Sequence, residues 1–328
     1  MVGLLAFGAS IHAQDVSDSE QSEQDKKWAN LIDSLKSKYD FAEPYNNNFA
    51  AVELHDKWGF VDSTGKEVTP LKYDEVIPGF NDSLAEVEVN DKYGIINLAG
   101  KEITPLKYDE IIAGSNGNLI KVNVGDKWGF IDLIGKEVTP LKYDYVCDSK
   151  EGFTIVQVQD KWGFIDSTGK EITPLKYDYA GNFKGGFAIV EVNNKYGIIN
   201  SAGKEITPLK YDNINIENFK KGLFCVDLND KWGFIDSTGK EITPLKYDGI
   251  WLFNEGLARV GLNGKYGYID TTGKEIIPLQ YDDANDFDNG KAYVKPHRTV
   301  KPKHVSKQES NNDEWIYIDR TGKKVEED

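Results

Sequence analysis

The chain has 328 residues, 39% of them hydrophobic and 12% aromatic, which is enough apolar matter for a folded interior. Asp and Glu number 54 against 39 Lys and Arg, leaving a net charge of −15 that repels nucleic acid and anionic membrane faces. A nucleic-acid role would therefore need a local basic patch.

The first residues, MVGLLAFGASIHAQ, are apolar over 2–11 and place small Ala13 before Gln14. This resembles the end of a secretory signal peptide over 1–13, although no Lys or Arg precedes the apolar run. It implies export to a periplasm or beyond; the alternative is the frayed start of a cytoplasmic protein. The stretch is shorter than the ~20 apolar residues of a bilayer span, and no later stretch is longer, so no membrane span is expected. No Cys follows the apolar run, so a lipid anchor is not supported.

Residues 14–38 read as a linker and an amphipathic helix. DKKWANLIDSLKSKYD puts Trp28, Leu31, Ile32 and Leu35 on one helical face, suited to covering the exposed edge of the first repeat.

From residue 39 onward the chain repeats itself. KWGFIDSTGKEITPLKYD runs over 161–178 and again, letter for letter, over 231–248. Aligned on the aromatic-Gly pair, the signature rings are Trp58, Tyr93, Trp128, Trp162, Tyr196, Trp232 and Tyr266, spaced 34 to 36 residues apart, with Trp315 as a degenerate eighth. Counted from each Tyr-Asp pair, the domain of 39–328 holds eight units: 39–72, 73–107, 108–142, 143–176, 177–210, 211–246, 247–280 and 281–328. The last carries a basic insertion at 295–314. A fixed period of this length marks an array whose units pack on their neighbours.

Within a unit the hydrophobic period is two. Ala85, Val87 and Val89 alternate with Glu86 and Glu88, the pattern of a half-buried antiparallel strand. Asn90-Asp91, Asn193-Asn194, Asn229-Asp230 and Asn263-Gly264 come next, pairs that tolerate positive φ and suit two-residue hairpins. The next strand carries the aromatic-Gly pair, as in Lys161-Trp162-Gly163-Phe164-Ile165. Asp166-Ser167-Thr168-Gly169 is a second turn, and Thr173-Pro174 stops central pairing before Leu175 and Tyr177 turn inward. A ring present at one phase of every unit reads as packing, and the Gly after it as a place where a neighbour approaches closely. Cys147 and Cys225 lie at different phases two units apart and read as free, buried thiols.

The tandem KWGFID.TGKEITPLKYD, with the variable segment after it, resembles the bacterial WG-repeat, or KWG-repeat, family from Tyr39 to the C-terminus. That resemblance implies a β-rich repeat array that binds other molecules and supplies no catalytic residues. The eighth copy departs from it, lacking the Gly after Trp315 and the final PLKYD. The expected fold is all-β: tandem ~35-residue β-hairpin repeats in an open, curved, solenoid-like array with an N-terminal capping helix. The alternative is a closed β-propeller of seven or eight blades, for which the unit is shorter than the usual blade of about 40 to 45 residues.

Motif scans return structure rather than chemistry. Residues 59–66 imitate a phosphate loop, but five residues separate Gly59 from Gly65 and Glu67 stands where Ser or Thr should bind magnesium. The Asp-x-x-Gly turns lack the alternating acids of a calcium loop, and His55, His297 and His304 have no metal spacing. No catalytic, cofactor or metal residues are assigned. Two departures from the repeat are candidate contact sites: Trp251, which stands where other units have Ile77, Ile112, Cys147 and Asn215, and the basic residues Lys295, Arg298, Lys301, Lys303 and Lys307. The expected function is a non-catalytic, exported binding or scaffolding module for protein or glycan. The alternatives are a secreted hydrolase whose acids are hidden among structural ones, and a structural envelope component.

Overall fold

The computed structural model describes residues 18–45, 49–81, 84–97, 99–113, 119–216, 222–297 and 315–326. The expected signal segment lies outside them. Among the described residues the strands form seven antiparallel sheets in which neighbours in sequence pair in order, and none closes into a barrel. The fold is all-β tandem hairpin repeats with one capping helix. The chain divides into two compact units, one ending at Lys142 and one beginning at Tyr143.

The fifth repeat shows how the sequence makes a sheet. Phe187–Val192 pairs with Lys195–Asn200, and the short strand Tyr179–Ala180 adds to the other edge. Between the long strands, Asn193 and Asn194 hold φ of 53° and 58°, the doubly left-handed turn that matches strand twist. Gln159 and Asp160 adopt the same turn, as do His55 and Asp56, without the favourable Asn at the first position. An Asp from the Tyr-Asp pair supports each turn by accepting its first N–H: Gln159 donates to Asp144 at 2.6 Å and His55 to Asp40 at 2.8 Å. The second turn is closed by Asp166, whose Oδ1 accepts from the N–H groups of Thr168 and Lys170 at 2.8 and 3.1 Å.

The Thr-Pro segment does more than end a strand. The Phe234 N–H donates to Thr243 Oγ1 at 2.8 Å, the Phe164 N–H to Thr173 at 2.9 Å and the Phe60 N–H to Thr69 at 2.8 Å, so a buried hydroxyl completes a ladder that the Pro interrupts. The Gly of the aromatic-Gly pair lets this segment cross the strand: a Cβ on Gly163 would lie 2.9 Å from Leu175 Cδ2 and 3.1 Å from the Pro174 carbonyl oxygen. In the seventh repeat Ile277 replaces the Thr. There the segment straightens into the continuous strand Glu275–Ala284, which pairs Ile277 with Tyr268 and joins the last two repeats in one seven-stranded sheet.

Within each unit, successive sheets stack face to face. In the unit beginning at Tyr143, Ile155 and Phe164 of the fourth repeat pack with Tyr177, Ala188, Val190 and Ile199 of the fifth. Cys225 and Phe234 of the sixth pack in the same way with Tyr247, Ala258, Val260 and Ile269 of the seventh. Cys225 is free and buried, and burial pushes its thiol up to about 12; Cys147, expected to be buried, is half-buried. In the unit ending at Lys142, Ala51, Phe60 and Tyr73 meet Ala85, Val87 and Ile96, and Ile95 and Tyr108 meet Ile120 and Val122.

The helix α1, Asp18–Leu35, takes the place of a preceding repeat. Its Trp28 and Leu35 are buried against Ala50, Val52 and Val61 of the first sheet, with Leu31 and Ile32 beside them.

Salt links run from repeat to repeat. Lys161 pairs with Asp178, Lys195 with Asp212 and Lys231 with Asp248, while Lys57 pairs with Asp74 and Lys92 with Asp109 in the other unit. Each of these aspartates sits on the next repeat, and its second oxygen accepts from that repeat's hairpin, as Asp178 does from the Asn193 N–H at 2.7 Å.

Replacing Thr243, only 1% exposed, by Val leaves the Phe234 N–H buried without an acceptor, at a cost of about 1–3 kcal/mol. Hydrogen exchange is expected to show lost protection at the Phe234 amide in Thr243→Val and retained protection in Thr243→Ser. Equal protection in both would mean that the hydroxyl carries none of the ladder.

Candidate functional site

At the hairpin end of each sheet three residues lie side by side across the strands. They are the residue after Tyr-Asp, the third residue before the hairpin's second turn residue, and the signature ring. In the fourth repeat the row is Tyr145, Gln157 and Trp162; in the fifth, Tyr179, Glu191 and Tyr196; in the sixth, Asn213, Asp227 and Trp232. In the unit ending at Lys142 the rows are Phe41, Glu53 and Trp58; Glu75, Glu88 and Tyr93; and Glu110, Asn123 and Trp128.

The signature rings Trp58, Tyr93, Trp128, Trp162, Tyr196, Trp232 and Tyr266 are all half-buried. The ring that fills the interior is the Tyr of Tyr-Asp, with Tyr73, Tyr143 and Tyr177 each 1% exposed. Outermost in the row, Phe41, Tyr145 and Tyr179 are 46, 53 and 50% exposed. Phe41 meets Trp58 edge-on at 5.6 Å between centroids, and Tyr145 meets Trp162 at 5.8 Å.

Trp251 replaces this arrangement in the seventh repeat. The row there is Gly249, Gly261 and Tyr266, and the Trp251 ring lies over the two glycines: a Cβ on Gly249 would be 2.8 Å from the indole. The half-buried indole packs on Tyr266 at 5.8 Å, and the Arg259 guanidinium sits 4.0 Å from its centroid. Arg259 is itself held by the Ala284 carbonyl and by Asp286, whose Oδ1 is 3.2 Å from Arg259 Nε. That pair is close enough for an ion pair but is not aligned as a hydrogen bond, so both atoms are buried without a hydrogen-bond partner. Arg259 is a residue that sequence reasoning missed. Its signal is that the same strand position holds Ile155, Ile189 and Cys225 in the preceding repeats.

Of the basic candidates, Lys295 lies on the strand Lys291–Pro296 opposite Asp283. Arg298, Lys301, Lys303 and Lys307 lie outside the described residues. Trp315 is half-buried and stacked on Tyr293 at 4.9 Å. His297 and Lys265 both contact Asp282 and pull its carboxyl down to about 2. Among the described residues no group of three or more His, Cys, Asp and Glu is placed to hold a metal ion, and no helix is long and apolar enough to cross a membrane.

The acidic residues of the rows contain the largest surprise. Alternation assigns Glu86 to a wet strand face, but the third repeat covers that face and Glu86 is 9% exposed, between Ile77 and Ile95. The same position is Ala51, Ile155, Ile189 and Cys225 in four other repeats, a legible sign of burial, but Lys121 and Arg259 in two more. Burial, then the nearby charges of Glu75 and Glu110, push the Glu86 carboxyl up to about 7. Glu75 stands directly opposite Glu88, an unfavourable like-charge pair. The Tyr93 hydroxyl is raised by burial and then by Glu88, Glu75, Glu86 and Asp91. In the other unit Asp227 is buried with Oδ1 unpartnered, and its carboxyl is raised by burial, Asp212 and Asp230.

The profile of the WG-containing repeat matches this chain in eight consecutive segments, 35–58, 58–93, 93–128, 128–162, 162–196, 196–232, 232–266 and 266–295. The chain belongs to that family. Among curated proteins no sequence matches it. Similar solved structures include Hsv2 of Kluyvelomyces marxianus, 12% identical, with 69% of this chain and 89% of that chain covered at a TM-score of 0.28. A eukaryotic initiation factor is 10% identical, with 87% of each chain covered at 0.34. The extracellular domain of a hybrid two-component system from B. thetaiotaomicron is 12% identical, with 85% of this chain and 43% of that chain covered at 0.23. All three scores are below 0.5.

A carboxyl raised on folding, from an ordinary 4.5 to about 7, favours the fold below the ordinary value and loses that contribution as pH rises through 7. Glu86→Gln is therefore expected to stabilise the chain by about 1–3 kcal/mol at pH 8 and by little at pH 4. Denaturant midpoints across that range check it; a gain that does not grow with pH would contradict the burial of a charged carboxyl.

Proposed function

We propose that the chain is a non-catalytic, exported binding module that grips its partner along the row of residues at the hairpin ends. The observation that carries this reading is the pair of outward tyrosines, Tyr145 and Tyr179, half exposed beside Trp162 and Tyr196 in successive repeats. Aromatic side chains present large contact area at low entropic cost, and a row repeated by the fold presents them in register. Family membership supports a repeat module, and the apolar segment ending at Ala13 supports export. Between protein and glycan, the acids interleaved with the rings, Glu53, Glu88, Glu191 and Asp227, favour a protein partner with basic character.

The test is capture from a cell-envelope extract on immobilised residues 14–328. Replacing Tyr145 and Tyr179 together by Ser is expected to reduce the captured partner at least tenfold, and Trp251→Ala to weaken capture further. Capture unchanged by all three substitutions overturns the row as the contact surface. Capture that is abolished by a soluble polysaccharide from the same extract would assign the partner to the glycan class.

A further inference from the structure

We infer that the second and third repeats form a notch for a cationic side chain, in which Glu86, Glu75, Glu88 and Glu110 beside the Tyr93 ring receive an arginine from an extended segment of a partner protein. This rests on the reading of the chain as a binding module and gives that module a partner chemistry.

The registers fix the arrangement. Glu75, Glu88 and Tyr93 lie in one row across the second sheet, and Ile77, Glu86 and Ile95 lie in the next row on the same face. Glu110 begins the neighbouring row of the third repeat, close enough to act on Glu86. Glu86 is nine-tenths buried, and among the described residues neither it nor Glu75 or Glu110 has an ion-pair or hydrogen-bond partner. The neighbouring lysines are engaged elsewhere: Lys57 with Asp74, Lys72 with Glu102 and Lys92 with Asp109. Glu88 is partly spent, its Oε1 accepting from the Asp91 N–H at 2.7 Å.

The fold does not require this carboxylate, since Ala51, Ile155, Ile189 and Cys225 fill the same position in other repeats. An unpaired carboxylate on a largely buried residue with like charges beside it is costly, and a cation from outside that bonds Glu86 and one neighbouring carboxylate relieves part of that cost. A metal ion fits poorly, because no three of these groups converge on one point. A guanidinium fits better: it is planar, weakly hydrated, can bond two carboxylates and can lie against the half-buried ring of Tyr93. Lysine offers a compact charge without the fork and is expected to bind less tightly.

The test uses the full chain and fluorescein-labelled Gly-Ser nonapeptides with Arg, Lys or the neutral isostere citrulline at the centre, titrated by anisotropy at low salt. The Arg peptide is expected to bind at least tenfold tighter than the citrulline peptide. Glu86→Gln is expected to lose most of that difference, and Asp160→Asn, which makes the same change in net charge on an exposed hairpin, to lose none. Glu75→Gln repeats the test at a more exposed position should Glu86→Gln alter the fold. Equal binding of Arg and citrulline peptides overturns the notch, as does equal weakening by Glu86→Gln and Asp160→Asn, or displacement of the peptide by equimolar calcium. If these results fail while the tyrosine row still captures a partner from extract, the notch falls and the binding module stands.

Discussion

The stacking depends on a contact that no side chain can enter. In the second turn of the fifth repeat Gly203 has φ of 73°, and a Cβ there would lie 2.0 Å from the Ile172 carbonyl oxygen of the repeat before. Gly239 and Gly273 face Ile206 and Ile242 in the same way at 2.2 and 2.4 Å, and Gly135 and Gly100 face Ile103 and Val68 at 2.1 and 2.5 Å. Backbone touching backbone sets how closely two sheets approach. The aliphatic layer between them, the Lys–Asp links and the supported hairpins then have a fixed spacing to satisfy. This is why the turn Gly recurs where one sheet stacks on another; Gly65 and Gly322 meet only side chains, the nearest at 3.5 Å, and share with the rest a left-handed φ, 82° in both.

That constraint divides the sequence into two kinds of position. Residues that face a neighbouring sheet must be apolar and of matched size, as Val52, Val87, Val122, Val156, Val190, Val226, Val260 and Val294 are at one phase of all eight repeats. Residues at the hairpin end answer only to the cross-strand row, and they vary: Phe41, Glu75, Glu110, Tyr145, Tyr179, Asn213, Gly249 and Asp283 occupy one phase. The architecture thus holds a variable row rigidly without specifying it. Rigid strands supporting adaptable positions are the usual basis of a binding surface.

The hairpins, the Asp-x-x-Gly turns and the capping helix are legible in the sequence because each is local: Asn193-Asn194 selects its turn, Asp166 closes its own loop, and Trp28, Leu31, Ile32 and Leu35 share a helical face. The role of the Thr is not. Its hydroxyl serves an amide nine residues earlier, as Thr173 serves Phe164, and nothing in a periodic pattern marks such a pair. The rings are legible as packing but not in their shares. The Tyr of Tyr-Asp is buried to 1% in several repeats while the signature Trp or Tyr stays half-buried, although the two stand opposite one another across the strands, as Trp162 and Tyr177 do. Alternation misplaces Glu86 for a related reason: an alternating strand implies one wet face only when nothing stacks on it.

The strand position of Glu86 shows how the chain departs from its own template. Three of its occupants in the unit beginning at Tyr143, Ile155, Ile189 and Cys225, are apolar and pack on the next sheet. Arg259 comes after them, and it brings its own compensation in Asp286, the Ala284 carbonyl and the face of Trp251. Glu86 has no such set; its charged neighbours, Glu75 and Glu110, share its sign. The paired aspartates show the opposite balance. Asp178, Asp212 and Asp248 are held below the ordinary carboxylate range by their lysines and hairpin N–H groups, so they favour the fold above that range and cease to do so as pH falls through their folded values. Glu86 favours it only while protonated. A repeat that pairs the acids of its Tyr-Asp motif so consistently leaves Glu86, like Asp227 in the other unit, among like charges, a cost that the architecture itself does not explain, and a cation brought by a partner is the simplest physical means of removing it at Glu86.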